Sequence, residues 1–368
     1  MKVMTIVGTR PEIIRLSRTI VRLDEVFDHV LVHTGQNYDY ALNEVFFEDL
    51  GLRKPDHYLA VDTSSVGRVL GETLIKTEEV LLAERPDAVL VLGDTNSCIA
   101  AVMAKRMRVP VYHMEAGNRC FDENVPEETN RRLVDHVADF NLVYTEHARR
   151  NLLAEGIHPR RILLTGSPMR EVLNSYRGQI ESSDVLDRLQ LTDHSYFLVS
   201  AHREENVDSP ERLQQLLACL DAVRDRWQMP VIVSTHPRTR NRLENSEAEM
   251  SGEIRWLDPF GFHDYNHLQV HAACVLSDSG TISEEASILS FPAVTLRDSI
   301  ERPEALDAGA IIMTGLNAED VVSAVAVAMA EEASSMPAGY EIEDTSRRVT
   351  KFILSSAHRH MDWAGIRP

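Results

Sequence analysis

The 368-residue chain is poor in cysteine, in positive charge and in long apolar runs, and each shortage removes a class of protein. Its four cysteines, Cys98, Cys120, Cys219 and Cys274, stand apart without CxxC spacing. Neither a disulfide framework nor a cysteine metal site is expected, and they read as reduced core or near-core residues. Lysine and arginine number 38 against 57 aspartates and glutamates, a formal charge of −19. A surface of that sign disfavours nucleic acid and anionic membranes as partners. A bound phosphate group would therefore need a local cluster of arginine, histidine and helix N-termini. No apolar run approaches the roughly 18 residues of a membrane helix, and Met1-Lys2 leads straight into a strand-like run. The expectation is a cytoplasmic protein without membrane insertion. The G-x-x-x-x-G-K-[ST] and G-x-G-x-x-G fingerprints are missing as well, so P-loop and dinucleotide readings have no support.

What is present is alternation. Short β-branched runs at 2–7, 29–33, 87–92, 109–113, 140–144 and 161–165 are separated by segments of helical period. A second series runs through 196–201, 230–234, 273–277, 293–296 and 311–313. Continuous apolar runs such as Ala88-Val89-Leu90-Val91-Leu92 suit strands buried on both faces of a parallel sheet. Between the series, the polar helical stretch from Arg170 to His194 is the expected hinge. The pattern predicts an α/β protein of two doubly wound domains facing each other across a cleft. A last helical segment, Thr345 to Arg359 with Val349, Phe352 and Ile353 at helical spacing, suits either domain.

Ligands of open α/β sheets bind beyond the carboxyl ends of the strands. Here those ends carry Gly8-Thr9-Arg10-Pro11-Glu12, Gly93-Asp94-Thr95, His113-Met114-Glu115-Ala116-Gly117, His202-Arg203-Glu204, His236-Pro237 and Asp278-Ser279-Gly280-Thr281. Thr9 and Glu12 form a capping box with Pro11 early in the helix, and that N-terminus with Arg10 beside it suits an anion. The same residues also describe a well-capped surface helix. Gly280 lets backbone amides approach a pyrophosphate, with Ser279 and Thr281 as hydroxyl donors and Glu285 one turn on, where it can hold a ribose. First-turn acids that only complement the helix dipole are the alternative there. Asp94, Glu115 and Glu127-Glu128 are carboxylates of the kind that inversion at a carbon requires, a base on one face and an acid on the other, and a solvated or capping acid is the alternative reading of each one alone. His113 and His202 lack a third ligand at metal spacing, and a strand-end histidine can simply satisfy a backbone carbonyl.

Taken in order from residue 8 to 304, these motifs, with Pro126-Glu127-Glu128-x-Asn130-Arg131, His202-Arg203-x-Glu205-Asn206, Glu284-Glu285 and Glu301-Arg302-Pro303-Glu304, resemble the non-hydrolysing UDP-N-acetylglucosamine 2-epimerase family. The resemblance implies two Rossmann-like domains in a glycosyltransferase-B-like arrangement, with the active site in the interdomain cleft. It implies residues 1–170 plus 355–368 as the catalytic domain and 171–354 as the UDP-binding domain. It further implies a homodimer, a UDP-sugar substrate, no NAD and no obligatory metal. The implied chemistry eliminates UDP to a 2-acetamidoglycal and adds it back after C2 is protonated from the other face. By position, Asp94, Glu115, Glu127, His202 and Arg131 match catalytic residues. Arg10, Arg15, Arg203, His236, Tyr265, Ser279, Gly280, Thr281 and Glu285 match substrate contacts, with Tyr265 near uracil.

The chain departs from the family pattern at Arg15, commonly Lys, and at Thr281, usually Gly. The Thr34–Asp39 segment keeps Gln36 but lacks the basic continuation tied to allosteric activation, so activation by substrate is not expected. The stretches His113–Asp122 and Asp264-Tyr265-Asn266 look closer to a capsule-biosynthesis branch that forms UDP-N-acetyl-L-fucosamine. A glycosyltransferase of the same fold and a hydrolysing 2-epimerase are the alternative enzymes. A UDP-sugar sensor without catalysis has no need of the acids.

Overall fold

The computed structural model describes residues 1–36, 47–235, 237–244, 254–331 and 336–366. The chain divides into two compact units, Met1–Ser175 with Gly339–Pro368, and Tyr176–Ala338.

Among the described residues, the first unit holds seven strands: β1 (Lys2–Val7), β2 (Asp28–His33), β3 (His57–Tyr58), β4 (Ala88–Leu92), β5 (Val111–Met114), β6 (Phe140–Val143) and β7 (Ile162–Leu164). They pair in parallel in the order β3-β2-β1-β4-β5-β6-β7. The apolar run of β4 is buried at every residue, as a central parallel strand covered on both faces must be. Chain direction across the sheet reverses between β1 and β4, so the residues after these strands stand at the topological switch point.

The second unit holds β8 (Phe197–Ser200), β9 (Val231–Ser234), β10 (Ile254–Leu257), β11 (Cys274–Ser277), β12 (Ala293–Thr295) and β13 (Ile312–Met313), in the order β10-β9-β8-β11-β12-β13. All of its pairings are parallel. Strand period divides its core in two. Phe197, Val199, Val231 and Val233 enter the cluster on one face, while Leu198, Ile232 and Val275 enter the cluster on the other. Its switch point lies between β8 and β11.

Strands β3 and β10 escape the sequence pattern, β3 because it has only two residues, neither of them buried. In β10, Ile254-Arg255-Trp256-Leu257 is fully buried only at Ile254. The expected hinge, 170–194, folds into three short helices, Met169–Ser175, Arg177–Glu181 and Val185–Leu189. The return to the first unit comes at Gly339 rather than at 355. Backbone bonding decides this: Ser167 N donates to Gly339 O at 2.9 Å, and the Thr345 hydroxyl donates to Ser167 O at 3.0 Å. The helix Thr345–Ser356 then buries Val349 and Ile353 beside the first helix, Arg10–Val26. Its last turn bonds Ser356 to the Tyr112 hydroxyl at 2.7 Å. All four cysteines are free, three of them buried.

Candidate active site at two switch points

In the first unit, the strand ends are tied together by one buried carboxylate. Glu12 accepts from Gly8 N (2.8 Å), Thr9 N (2.7 Å) and the Thr9 hydroxyl (2.9 Å) after β1. It also accepts from Thr95 (3.1 Å) and Ser97 after β4. Burial lifts its pKa above the ordinary range, opposed by the bonds from Ser97, Gly8 and Thr9. The capping box is present, as the sequence predicts, but Glu12 itself already occupies the Gly8 and Thr9 amides.

Leu92 pairs with Met114 across β4 and β5, so Asp94 and Glu115 follow adjacent strand ends. Glu115 has φ +64°, a left-handed conformation that costs a non-glycine residue energy and is kept where the surroundings demand it. Each acid has its own cation. Arg15, from the first helix, pairs with Glu115, and Arg131, from the helix Pro126–Val137, pairs with Asp94. Arg131 also reaches Glu128 Oε2 at 2.5 Å. Asn130 Nδ2 donates to Asp94 O at 3.0 Å and holds the backbone beneath the acid. The Asp94 and Glu115 side chains are 21% and 12% exposed, against 4% and 5% for Arg131 and Arg15. The acids therefore present themselves and the cations stand behind them. Burial acts to raise the Glu128 pKa, and the Arg131 guanidinium with bonds from Cys120 and Arg132 brings it below the ordinary range.

His113 takes the plainer of its two readings. Its Nε2 lies 2.7 Å from Gly93 O and its Nδ1 2.9 Å from Asp135, with both side chains wholly buried. Asp135 also accepts from Gly117 N and from Arg119 Nη1 at 2.7 Å. The site needs glycine at 117: φ is +81°, and an added Cβ would lie 2.4 Å from Ala148 O.

In the second unit, Asp278 does the corresponding work. Its wholly buried carboxylate accepts from His202 N (3.0 Å), Arg203 N (3.0 Å) and Asn206 Nδ2 (3.1 Å), which locks the β8 loop to the β11 loop. The His202 Nδ1 lies 3.5 Å from the same carboxylate, and its ring is 41% exposed. The Arg203 Nε donates to Asp278 O at 3.0 Å. Ser279 and Thr281 join hydroxyls at 3.0 Å at the entry to the helix Ile282–Leu289. Glu285, one turn on, is nearly buried and accepts from Gln269 Nε2 at 2.7 Å. Tyr265 shares this network through Ser200 and Gln269, and burial with Glu285 beside it raises the phenol pKa.

The β11 loop therefore offers backbone and hydroxyl donors backed by Arg203, the chemistry of an anion site, with a carboxylate and a phenol beside it. The β4 and β5 loops offer two cation-backed acids, the equipment of proton transfer. The family model described as UDP-N-acetylglucosamine 2-epimerase matches residues 20–354.

The chain belongs to the UDP-N-acetylglucosamine 2-epimerase family. A UDP-N-acetylglucosamine 2-epimerase from Rickettsia bellii superposes with TM-score 0.92 at 46% identity, covering 98% of each chain. The Methanocaldococcus jannaschii UDP-GlcNAc 2-epimerase, solved with UDP-GlcNAc and UDP, superposes with TM-score 0.91 at 35% identity, over 97% of this chain and 100% of that one. A Pseudomonas aeruginosa UDP-2,3-diacetamido-2,3-dideoxy-D-glucuronate 2-epimerase is 33% identical over 96% of this chain and 99% of its own length. The protein is thus an isomerase of this family on a fold of two Rossmann-like units. A spinosyn rhamnosyltransferase, 12% identical with TM-score 0.54, shares that glycosyltransferase-B-like fold alone.

Among the family-matched positions, Arg10 and Glu127 lie half-buried in the first turns of the helices Arg10–Val26 and Pro126–Val137. His236 lies outside the described residues. Among the described residues, no group of three or more His, Cys, Asp or Glu is placed to hold a metal ion. No described helix is long and apolar enough to cross a membrane. Sequence reasoning grouped Glu128 with the proton-transfer carboxylates rather than as the partner of Arg131, and gave Asp278 a place in a strand-end cluster but no role of its own. Glu128 had a signal in its three-residue spacing to Arg131 on one helix face, whereas Asp278 draws its partners from residues 202–206 and has no local signal.

Proposed function

We propose that this family member inverts C2 of a UDP-N-acetylamino sugar, with UDP-N-acetylglucosamine as the first substrate to test. In this reading one of Asp94, Glu115 and Glu127 takes the C2 proton while the C1–O bond breaks and UDP leaves as an anion. The product is a 2-acetamidoglycal. A second acid returns a proton to the opposite face of C2, and UDP adds back at C1. Arg10, Arg15, Arg131, His202 and Arg203 offset the negative charge that builds on the departing phosphate. Ser279, Gly280 and Thr281 take the pyrophosphate, and Glu285 and Tyr265 the nucleoside, with His236 as a further contact.

The observation that carries the proposal is the pair of cation-backed acids, Asp94 and Glu115, beyond adjacent strand ends. A glycosyl transfer has no use for two proton-transfer groups so placed. The sugar itself varies among the relatives, since the Pseudomonas aeruginosa protein is named for a diacetamido uronate. The 6-deoxy sugar of the UDP-N-acetyl-L-fucosamine branch belongs in the same comparison. The reading extends to a cytoplasmic homodimer, for which light scattering should give twice the 41.5 kDa of one chain.

Incubating each UDP-sugar with the enzyme in deuterium oxide, followed by NMR, tests the reaction. Deuterium at C2 with UDP still attached is expected. Free sugar plus UDP would point instead to a hydrolysing epimerase, and an unlabelled sugar passed to an acceptor would point to a transferase.

A further inference from the structure

A buried charge network that the chemistry above does not use adjoins the loops of Asp94 and Glu115. Arg119 and Asp135 both have wholly buried side chains, and they meet at 2.7 Å. Arg119 Nε and Nη2 donate to Glu155 at 2.8 and 2.7 Å, and Nη1 also donates to Asn118 O at 2.6 Å. Stability alone is a weak reason for ions at that depth, because an apolar pair of similar volume commonly serves as well. Their bonds to backbone give a stronger one.

Those bonds fall on both acid-bearing loops. The two oxygens of Asp135 accept from Gly117 N at 3.2 and 3.1 Å, two residues beyond Glu115. Asn151, on the helix Glu146–Ala154, takes the other side of the same residue, its Nδ2 donating to Gly117 O at 3.0 Å. Asp135 Oδ1 also lies 2.9 Å from His113 Nδ1, and the far nitrogen of that ring, Nε2, lies 2.7 Å from Gly93 O. A carbonyl only accepts, so Nε2 carries a proton and donates it. Gly93 immediately precedes Asp94, and its N–H donates to Met114 O, just before Glu115, at 3.0 Å. One carboxylate thus fixes the residue before Asp94 and the residue two beyond Glu115. Glu115 itself, at φ +64°, has a conformation that persists only where its surroundings hold it.

We propose that Asp135 is a positioning residue for both acids: through Gly117 N and, by way of His113, Gly93 O, it holds the β4 and β5 loops in the arrangement that proton transfer at C2 needs. This rests on the reading that Asp94 and Glu115 act on C2. Asp135→Asn is the conservative variant. Its oxygen can stay on Gly117 N and Arg119 while its amide donates to His113 Nδ1, so kcat should remain within about tenfold. Asp135→Leu combined with Arg119→Met removes the acceptor and both charges without leaving an unpaired buried ion. With UDP-N-acetylglucosamine this double variant should lose about a hundredfold or more in kcat, while KM and calorimetric UDP affinity change by no more than about threefold. Asn151→Ala, which frees only Gly117 O, should lower kcat about tenfold with UDP affinity and thermal midpoint close to wild type. Near-wild-type kcat in the folded double variant, or a loss in Asp135→Asn as large as in the double variant, would overturn the proposal. Should the double variant fail to fold, wild-type kcat in Asn151→Ala would do so. Retained C2 deuterium exchange in Asp94→Asn and Glu115→Gln would instead remove the functional reading beneath it.

Discussion

Arg15 and Glu115 meet from one hundred positions apart in the chain, the guanidinium on the first helix against a carboxylate whose own backbone is left-handed. Glu115 follows a buried strand and cannot choose another direction without leaving that conformation. Its cation therefore arrives from a different element, and the pair joins the first helix to the β5 loop. Arg15→Lys, the residue more common in the family, should keep the charge and retain activity within about tenfold. Arg15→Met should lower kcat about a hundredfold or more, because the developing phosphate charge and Glu115 both lose their cation. Turnover of each variant with UDP-N-acetylglucosamine checks this, with circular dichroism to confirm folding.

The acids are expected to act on the sugar rather than on the nucleotide. Asp94→Asn and Glu115→Gln should each abolish C2 deuterium exchange and leave UDP affinity within about tenfold. Near-normal exchange in either variant would take that acid out of the mechanism.

Nucleotide affinity should respond to the other unit. Glu285 is placed one turn beyond the phosphate-type turn and oriented by Gln269. Glu285→Gln should weaken UDP binding about tenfold, the scale of one charge-assisted hydrogen bond. The glycal step should survive at saturating substrate, so the measurement is KM against kcat. An unchanged KM would place the ribose elsewhere.

Stability should fall in mild acid through His33. The ring is buried, stacks on Tyr58 at 5.2 Å and accepts from Gly35 N at 3.0 Å, so it is held neutral. Burial pulls its pKa from 6.5 to about 4. Between those values the unfolded chain binds a proton that the folded chain refuses, so the contribution is complete above about pH 6.5 and is lost as pH falls toward 4. The full effect is about 3 kcal/mol. His33→Asn, which keeps an acceptor near Nδ1, should flatten the dependence of urea unfolding on pH across that window. An unchanged slope would assign the acid sensitivity to other groups.

Gly117 is the test of local fit. Gly117→Ala would set a Cβ against Ala148 O at a positive φ, and should cost about 2 kcal/mol or more in denaturant unfolding.

Local chemistry made much of this molecule legible in advance. The apolar run Ala88–Leu92, the capping box at Thr9 and Glu12, and the strand-end clusters at 93–95, 115–117 and 278–281 are written in contiguous residues, because strand burial, helix starts and turns depend on neighbours. Strands β3 and β10 were not legible, since β3 spans two residues, neither of them buried, and β10 is fully buried only at Ile254. The crossing at Gly339 was not legible either, since it rests on bonds from Ser167 and Thr345 to residues far away in the chain.

The sequence by itself determined the class of fold, the two series of parallel strands and the family, for these are properties of period and of short contiguous motifs. Only the tertiary structure decided what each charged side chain does. It made Glu12 and Asp278 internal fasteners, turned His113 inward to Gly93, gave Asp94 and Glu115 separate cations, and set Asp135 against Gly117. The physical reason is that a carboxylate looks the same in any sequence. Its role follows from burial and from the partners that sheet topology delivers, and those partners are drawn from strands and helices that the chain visits far apart.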